Sequence, residues 1–269
     1  MWTSCTLETS SHTLPPEAFS VLERSEANTR IRVLSETELL ISVRHIGPET
    51  DTPIQKLHHA HQVIRTFVIC FNVASLGYFY WKHAPWLHPV LSLSSDLQGS
   101  DLTESALMAE PAHTFESRSA LSSQIVQNAI LIFGIFAKEP SFALNTEYTK
   151  GILLLRMQFC DVHFRTEAFM CFYRALEYFI ASRVLKVRKL TNELKDMQRG
   201  LAIVGLDGEI LDEFRDIYVI RSSQAAHTQI QPRELTFDEV MKTKVFLDFV
   251  IHKTFVAQGH ALMQARADN

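Results

Sequence analysis

Glycine and cysteine are scarce in this chain of 269 residues, with nine of the first and four of the second. No glycine-rich loop able to cradle phosphates is present, and neither G-x-S-x-G nor H-E-x-x-H occurs. Those absences exclude the phosphate-loop nucleotidases, the nucleophile-elbow hydrolases and the helical zinc proteases. Cys5, Cys70, Cys160 and Cys171 show no C-x-x-C spacing, and three of them sit in apolar stretches where a thiol behaves as a small hydrophobe. A reducing, cytoplasmic compartment is the expectation. The opening Met1-Trp2-Thr3-Ser4-Cys5 has neither the basic start nor the apolar run of a secretory signal.

Long apolar runs are also missing. Ser119 to Ala137 carries no charge, but Ser122, Ser123, Gln124, Gln127 and Asn128 dilute its first half. A bilayer span needs roughly 20 predominantly apolar residues. Thr66 to Trp81 is shorter and contains Asn72. Both read as buried helices, and no membrane association is expected. A formal net charge of -4 argues against wholesale coating of a polyanion, so any contact with nucleic acid is local.

Histidines cluster once, at His58, His59 and His61. His58 and His61 share one helix face, but no carboxylate or cysteine stands at a supporting spacing. No metal and no cofactor are expected. His163, His252 and His260 are isolated and read as structural.

What is present divides the chain near residue 116. Region 1–116 is a smaller α/β portion; region 117–269 is a helical bundle; together they predict an α+β protein. Pro15-Pro16-Glu17-Ala18-Phe19 starts a short helix. Ile31 and Val33, then Leu39, Ile41 and Val43, alternate as two strands of a hairpin turning at Ser35-Glu36-Thr37. Thr52-Pro53 opens a helix that runs to about Gly77. Trp81 to Leu93 reads as extended or irregular, and Asp96 to Thr114 as a linker or loop. Helices follow over Ser119 to Lys138, Asn145 to about His163 and Arg165 to Lys186, and the last two can join as one continuous helix. Gly205-Leu206-Asp207-Gly208 is a turn, and Thr236-Phe237-Asp238-Glu239 is a capping box for a final helix to about Gln264.

Two charge features stand out. Between Arg183 and Arg199, the six basic residues Arg183, Lys186, Arg188, Lys189, Lys195 and Arg199 face only Glu193 and Asp196. Such a segment can track a phosphate backbone, or serve as the solvated end of a helix. The second is Arg221. Ile210, Leu211, Phe214, Ile217, Tyr218 and Ala225 recur at steps of three and four, and Arg221 falls on the same face. A guanidinium keeps its charge, so it needs an anion, a carbonyl cluster or a wet cleft to receive it. Capping carbonyls at a helix crossing is the purely structural role open to it, with His227 closing the helix end.

Phe172-Tyr173-Arg174-Ala175-Leu176-Glu177-Tyr178-Phe179, followed by Phe214 to His227 with five residues between Arg221 and His227, resembles the HEPN superfamily (higher eukaryotes and prokaryotes nucleotide-binding domain). The likeness spans roughly Asn145 to Gln264 and nothing before Ser117. It implies a helical bundle that dimerises so that two R-x(4–6)-H motifs share a cleft. It also implies a metal-independent endoribonuclease of antiviral defence or of a toxin system. Arg221 and His227 would be catalytic, with Ser222, Gln224 and Glu177 supporting them and Arg183, Lys186, Arg188 and Lys189 holding RNA. On an ideal helix Arg221 and His227 stand about 120° apart, which favours two copies around one phosphate. Catalytic members often carry Asn, Asp or His after the arginine, where this chain has Ser222. A noncatalytic nucleotide- or protein-binding adaptor is the alternative, and the N-terminal region is expected to meet a trigger, substrate or protein partner.

Overall fold

The computed structural model describes residues 2–20, 28–44, 48, 52–82, 90–94, 102–107, 117–138, 141–159, 162–225 and 233–267. The architecture is α+β, a small antiparallel sheet packed on a larger set of helices. Four strands, β1 (Trp2–Thr9), β3 (Thr29–Val33), β4 (Glu38–Arg44) and β5 (Phe79–Trp81), pair in the order β3-β4-β1-β5. The predicted hairpin is β3 and β4, with Ile31 opposite Ile41 and Val33 opposite Leu39. Alternation does the work here. Leu39, Ile41 and Val43 are buried, while Leu40, Ser42 and Arg44 are not. Strand β1 joins the same face with Leu7 opposite Leu39. Its mixed composition gave no strand signal.

Helix α1 (Pro53–Ser75) covers that face. Thr52 caps it reciprocally: Gln55 N–H donates to Thr52 Oγ1 at 3.3 Å, and Thr52 N–H donates to Gln55 Oε1 at 2.8 Å. Pro53 suits the first turn, where its missing N–H costs nothing. The chain leaves α1 through Leu76 in the left-handed region and then Gly77, where an added Cβ would lie 2.5 Å from the His12 ring. Only glycine fits that approach.

The remaining helices are α2 (Ser123–Lys138), α3 (Phe142–Arg156), α4 (Arg165–Phe179), α5 (Glu193–Ile203), α6 (Glu209–Ile220) and α7 (Phe237–Ala267). Thr236 and Glu239 cap α7 reciprocally, as their spacing predicts. Phe67 of α1 stacks on Phe133 of α2 at 4.1 Å, and Phe255 of α7 meets both Phe136 of α2 and Phe179 of α4. One hydrophobic core therefore runs from the sheet through α1 into the bundle. No helix among the described residues is long and apolar enough to cross a membrane.

Several boundaries differ from expectation. Strands β6 (Val90–Ser94) and β7 (Leu102–Leu107) form an antiparallel ribbon, the second inside the stretch read as a linker. Ser119–Ala120 is a short strand, β8, parallel to β2 (His12–Thr13), so α2 starts four residues later than predicted. Helices α3 and α4 are not continuous. Met157 N–H folds back onto Leu153 O, its backbone turns extended, and β9 (Gln158–Phe159) pairs with β10 (Val162–His163) before α4 begins. The charged segment also contains helix α5, of whose apolar residues Met197 and Leu201 are buried, enough to dock one short face.

A charged group lies at the centre of this core. Lys244 and Asp248 of α7 are fully buried and form an ion pair at 2.6 Å. Lys244 Nζ also donates to Asn72 Oδ1 at 2.8 Å and to Gly77 O. Tyr148 OH of α3 donates to Asp248 Oδ1 at 2.6 Å. Asn72 in turn binds both backbone groups of Phe79, through Nδ2 to its carbonyl and Oδ1 from its N–H. Burial pushes the Lys244 ammonium down and the Asp248 carboxyl up, each opposed by the other's charge.

Removing one partner leaves the other charge stranded. Lys244→Met should lower stability by about 3–5 kcal/mol. Lys244→Met combined with Asp248→Leu should be less destabilised than the sum of the single changes. Urea denaturation of the three variants decides this; strictly additive losses would show that the pair is not coupled.

Candidate functional site

The site candidates lie on α4, α6 and the turns that close them. Both helices end in a π turn, Ile180–Val184 after α4 and Arg221–Ala225 after α6. In the first, Leu185 N–H reaches Ile180 O at 2.9 Å, five residues back. In the second, Ser222 Oγ donates to Tyr218 O at 2.9 Å and Ser223 Oγ to Val219 O at 2.6 Å. Hydroxyls that bond back onto the preceding turn bend a helix at that point. Two adjacent serines thus give a sequence-level reason for the distortion that starts at Arg221.

The apolar stripe of α6 is as expected in its first turns. Phe214 and Ile217 are fully buried, while Ile210, Leu211 and Tyr218 are partly buried against the core. Arg221 follows them, with its side chain about a quarter exposed. Its receiver within the chain is Glu193, the first residue of α5: Arg221 Nη2 lies 2.8 Å from Glu193 Oε2. Tyr173 of α4 donates its hydroxyl to Glu193 Oε1 at 2.8 Å, and the guanidinium carbon lies 5.7 Å from the Tyr173 ring centroid. Arg221 Nε is buried without an acceptor.

Two local features bring Glu193 there. Asn192 caps α5 by accepting Lys195 N–H at 3.2 Å. Gly200 lets α5 press on the first π turn, since an added Cβ would lie 2.3 Å from Ile180 Cγ2. Neither Glu193 nor Tyr173 was singled out as a partner of Arg221 from the sequence. Twenty-eight positions separate Glu193 from Arg221, and no periodic spacing links residues so far apart.

Glu177, one turn beyond Tyr173, does not make the ion pair with Arg221; Glu193 does. Its carboxyl is pushed up to about 7, first by burial and then by the charge of Glu193, with Arg221 and Arg174 opposing. Arg174 itself is engaged with Glu147 at 3.0 Å. The result is a half-buried carboxyl that changes charge near neutrality beside a guanidinium with a spare donor. Such a pair can exchange a proton and hold an anion.

The other candidates are placed as follows. Ser222 has its hydroxyl turned onto the helix backbone. Gln224 belongs to the π turn, with its side chain outside the described residues, and His227 lies outside them altogether. Arg183 sits in the first π turn and is engaged with a partner. Lys186, in the left-handed region, and Arg188 and Lys189 occupy the exposed connector between that turn and α5. The basic run is therefore part turn, part connector and part helix, and Arg199 pairs with Asp196 at 3.0 Å. Among the described residues no three metal-ligating side chains converge.

Set against protein-family models, curated proteins and solved structures, this chain matches none.

The raised Glu177 carboxyl has a consequence for stability. Between the ordinary value of 4.5 and about 7, the folded protein holds a proton that the unfolded chain has released. Glu177 therefore contributes most at acid pH, and that contribution is lost as pH rises to about 7. Denaturation at pH 5, 6, 7 and 8 should show the stability difference between wild type and Glu177→Gln shifting in favour of the variant toward pH 8. A difference that stays constant over that range would place the carboxyl at an ordinary value.

Proposed function

We propose that this chain is a metal-independent endoribonuclease of the HEPN type, working in the cytoplasm as a homodimer in antiviral defence or a toxin system. Arg221 and His227 from two protomers form the shared site. The observation that carries the reading is the environment of Arg221: a partly buried guanidinium at a distorted helix end, with an unused donor and a near-neutral carboxyl beside it. Helix distortions of the π type are frequent at functional sites.

RNA supplies its own nucleophile. The ribose 2′-oxygen attacks phosphorus, the bond to the 5′-oxygen breaks, and the hydroxyl proton ends on the leaving oxygen. His227 is the group suited to moving that proton near neutral pH, and its role rests on the R-x5-H spacing. Arg221 offers planar paired donors to the charge that builds on the phosphorane. The exposed Lys186, Arg188 and Lys189 would offer positive charge to the RNA backbone.

One observation favours a second reading, a noncatalytic helical adaptor that binds a nucleotide or protein. Glu193 already receives Arg221, so the arginine has a purely structural use. Cleavage assays separate the two. Wild-type protein should cut RNA in the presence of EDTA, His227→Ala and Arg221→Ala should lose activity by about a hundredfold or more, and both variants should keep the wild-type unfolding midpoint within a few degrees. Intact RNA across single-stranded and hairpin substrates would support the adaptor instead. A monomer at micromolar concentration in sedimentation would count against a shared site.

A further inference from the structure

Away from Arg221, a second group of polar side chains gathers where the loop after β1, strand β5, the end of α3 and the segment before β8 meet. The Arg156 guanidinium lies over the Tyr80 ring, 4.1 Å from its centroid. Its Nε is buried and meets no acceptor. The carboxylate it faces, Glu8, stands 3.9 Å from Nη2, beyond hydrogen-bonding distance. Arg118 donates through Nε to Ser10 O at 3.3 Å, and no ion pair joins it to another described residue. The hydroxyl of Tyr78 is buried and unpartnered, and the buried hydroxyl of Ser10 faces that of Tyr80.

These groups share one neighbourhood. The Tyr78 and Tyr80 rings are 4.9 Å apart, and the Tyr80 hydroxyl responds to Arg156, Glu8, Ser10 and Arg118 together. Burial raises both tyrosine hydroxyls, which keeps them protonated as donors. The two guanidinium groups donate and accept nothing, and Arg156 Nε and the Tyr78 hydroxyl are both idle. A ligand with several acceptor oxygens and negative charge would receive both at once.

We propose that Arg118, Arg156, Tyr78 and Ser10 form a second binding site, separate from Arg221, for a small oxyanion: a phosphate or carboxylate group, free or carried by a metabolite. Calorimetric titration of the full chain at constant ionic strength, with inorganic phosphate in one arm and acetate in the other, tests it. Saturable binding is expected in at least one arm, and the preferred anion identifies the group. Arg156→Gln should weaken that binding by about tenfold or more. Because Arg156 also packs on Tyr80, Tyr78→Phe serves as the second variant: it should weaken binding by about threefold without lowering the unfolding midpoint of the anion-free protein, since the hydroxyl it removes has no partner to lose. No saturable binding in either arm, or binding unchanged in both Arg156→Gln and Tyr78→Phe, would each overturn the proposal.

Discussion

The fold depends on a single ammonium group. Lys244 has three donors and three receivers, namely the Asp248 carboxylate, the Asn72 amide oxygen and the Gly77 carbonyl. Because the group lies out of reach of water, each receiver must be in place at once. That requirement sets the register of α7 against the end of α1, fixes the turn at Gly77 against His12, and holds β5 through the two Asn72 bonds to Phe79. Tyr148 extends the demand to α3. Hydrophobic burial drives these elements together but has no direction of its own; the buried network supplies one arrangement among the many that would bury similar area.

Arg221 meets the same problem in another way. It is a permanent charge on an apolar stripe, yet it is neither fully buried nor fully satisfied: one carboxylate, one aromatic ring and one idle nitrogen surround it. A saturated network such as that of Lys244 has nothing left to offer a ligand. An unsaturated one does. The contrast between the two cations separates a group that serves the fold from one that can serve chemistry, and the raised carboxyl of Glu177 marks the same corner.

Where local chemistry decided an element, the sequence was readable. The Thr52 and Thr236 capping boxes, the alternation of Leu39, Ile41 and Val43, and the turn at Gly205 to Gly208 all act over a few residues. Strand β1, the ribbon of β6 and β7 and the break between α3 and α4 were not, because their signals are pairings with distant segments rather than a period of their own. The candidate site divides along the same line. Arg221 was visible as an energetic anomaly on its own helix, whereas its receiver, Glu193, sits on a helix whose docking depends on the contact between Gly200 and Ile180. The two clusters of polar groups, around Lys244 and around Arg156, each assemble residues from distant parts of the chain and leave no trace in any one of them.

The π turns carry a further implication. In a regular helix each residue advances the phase by about 100°, and a turn closed over five residues instead of four retards everything after it by one residue's worth of rotation. The five residues Arg221–Ala225 therefore leave the phase that a helical wheel drawn through α6 assigns them. A single deletion among Ser222, Ser223 and Gln224 would restore the ordinary winding and turn the end of the helix by about 100°. Chain length in this turn, as much as residue identity, sets the phase at which the helix ends.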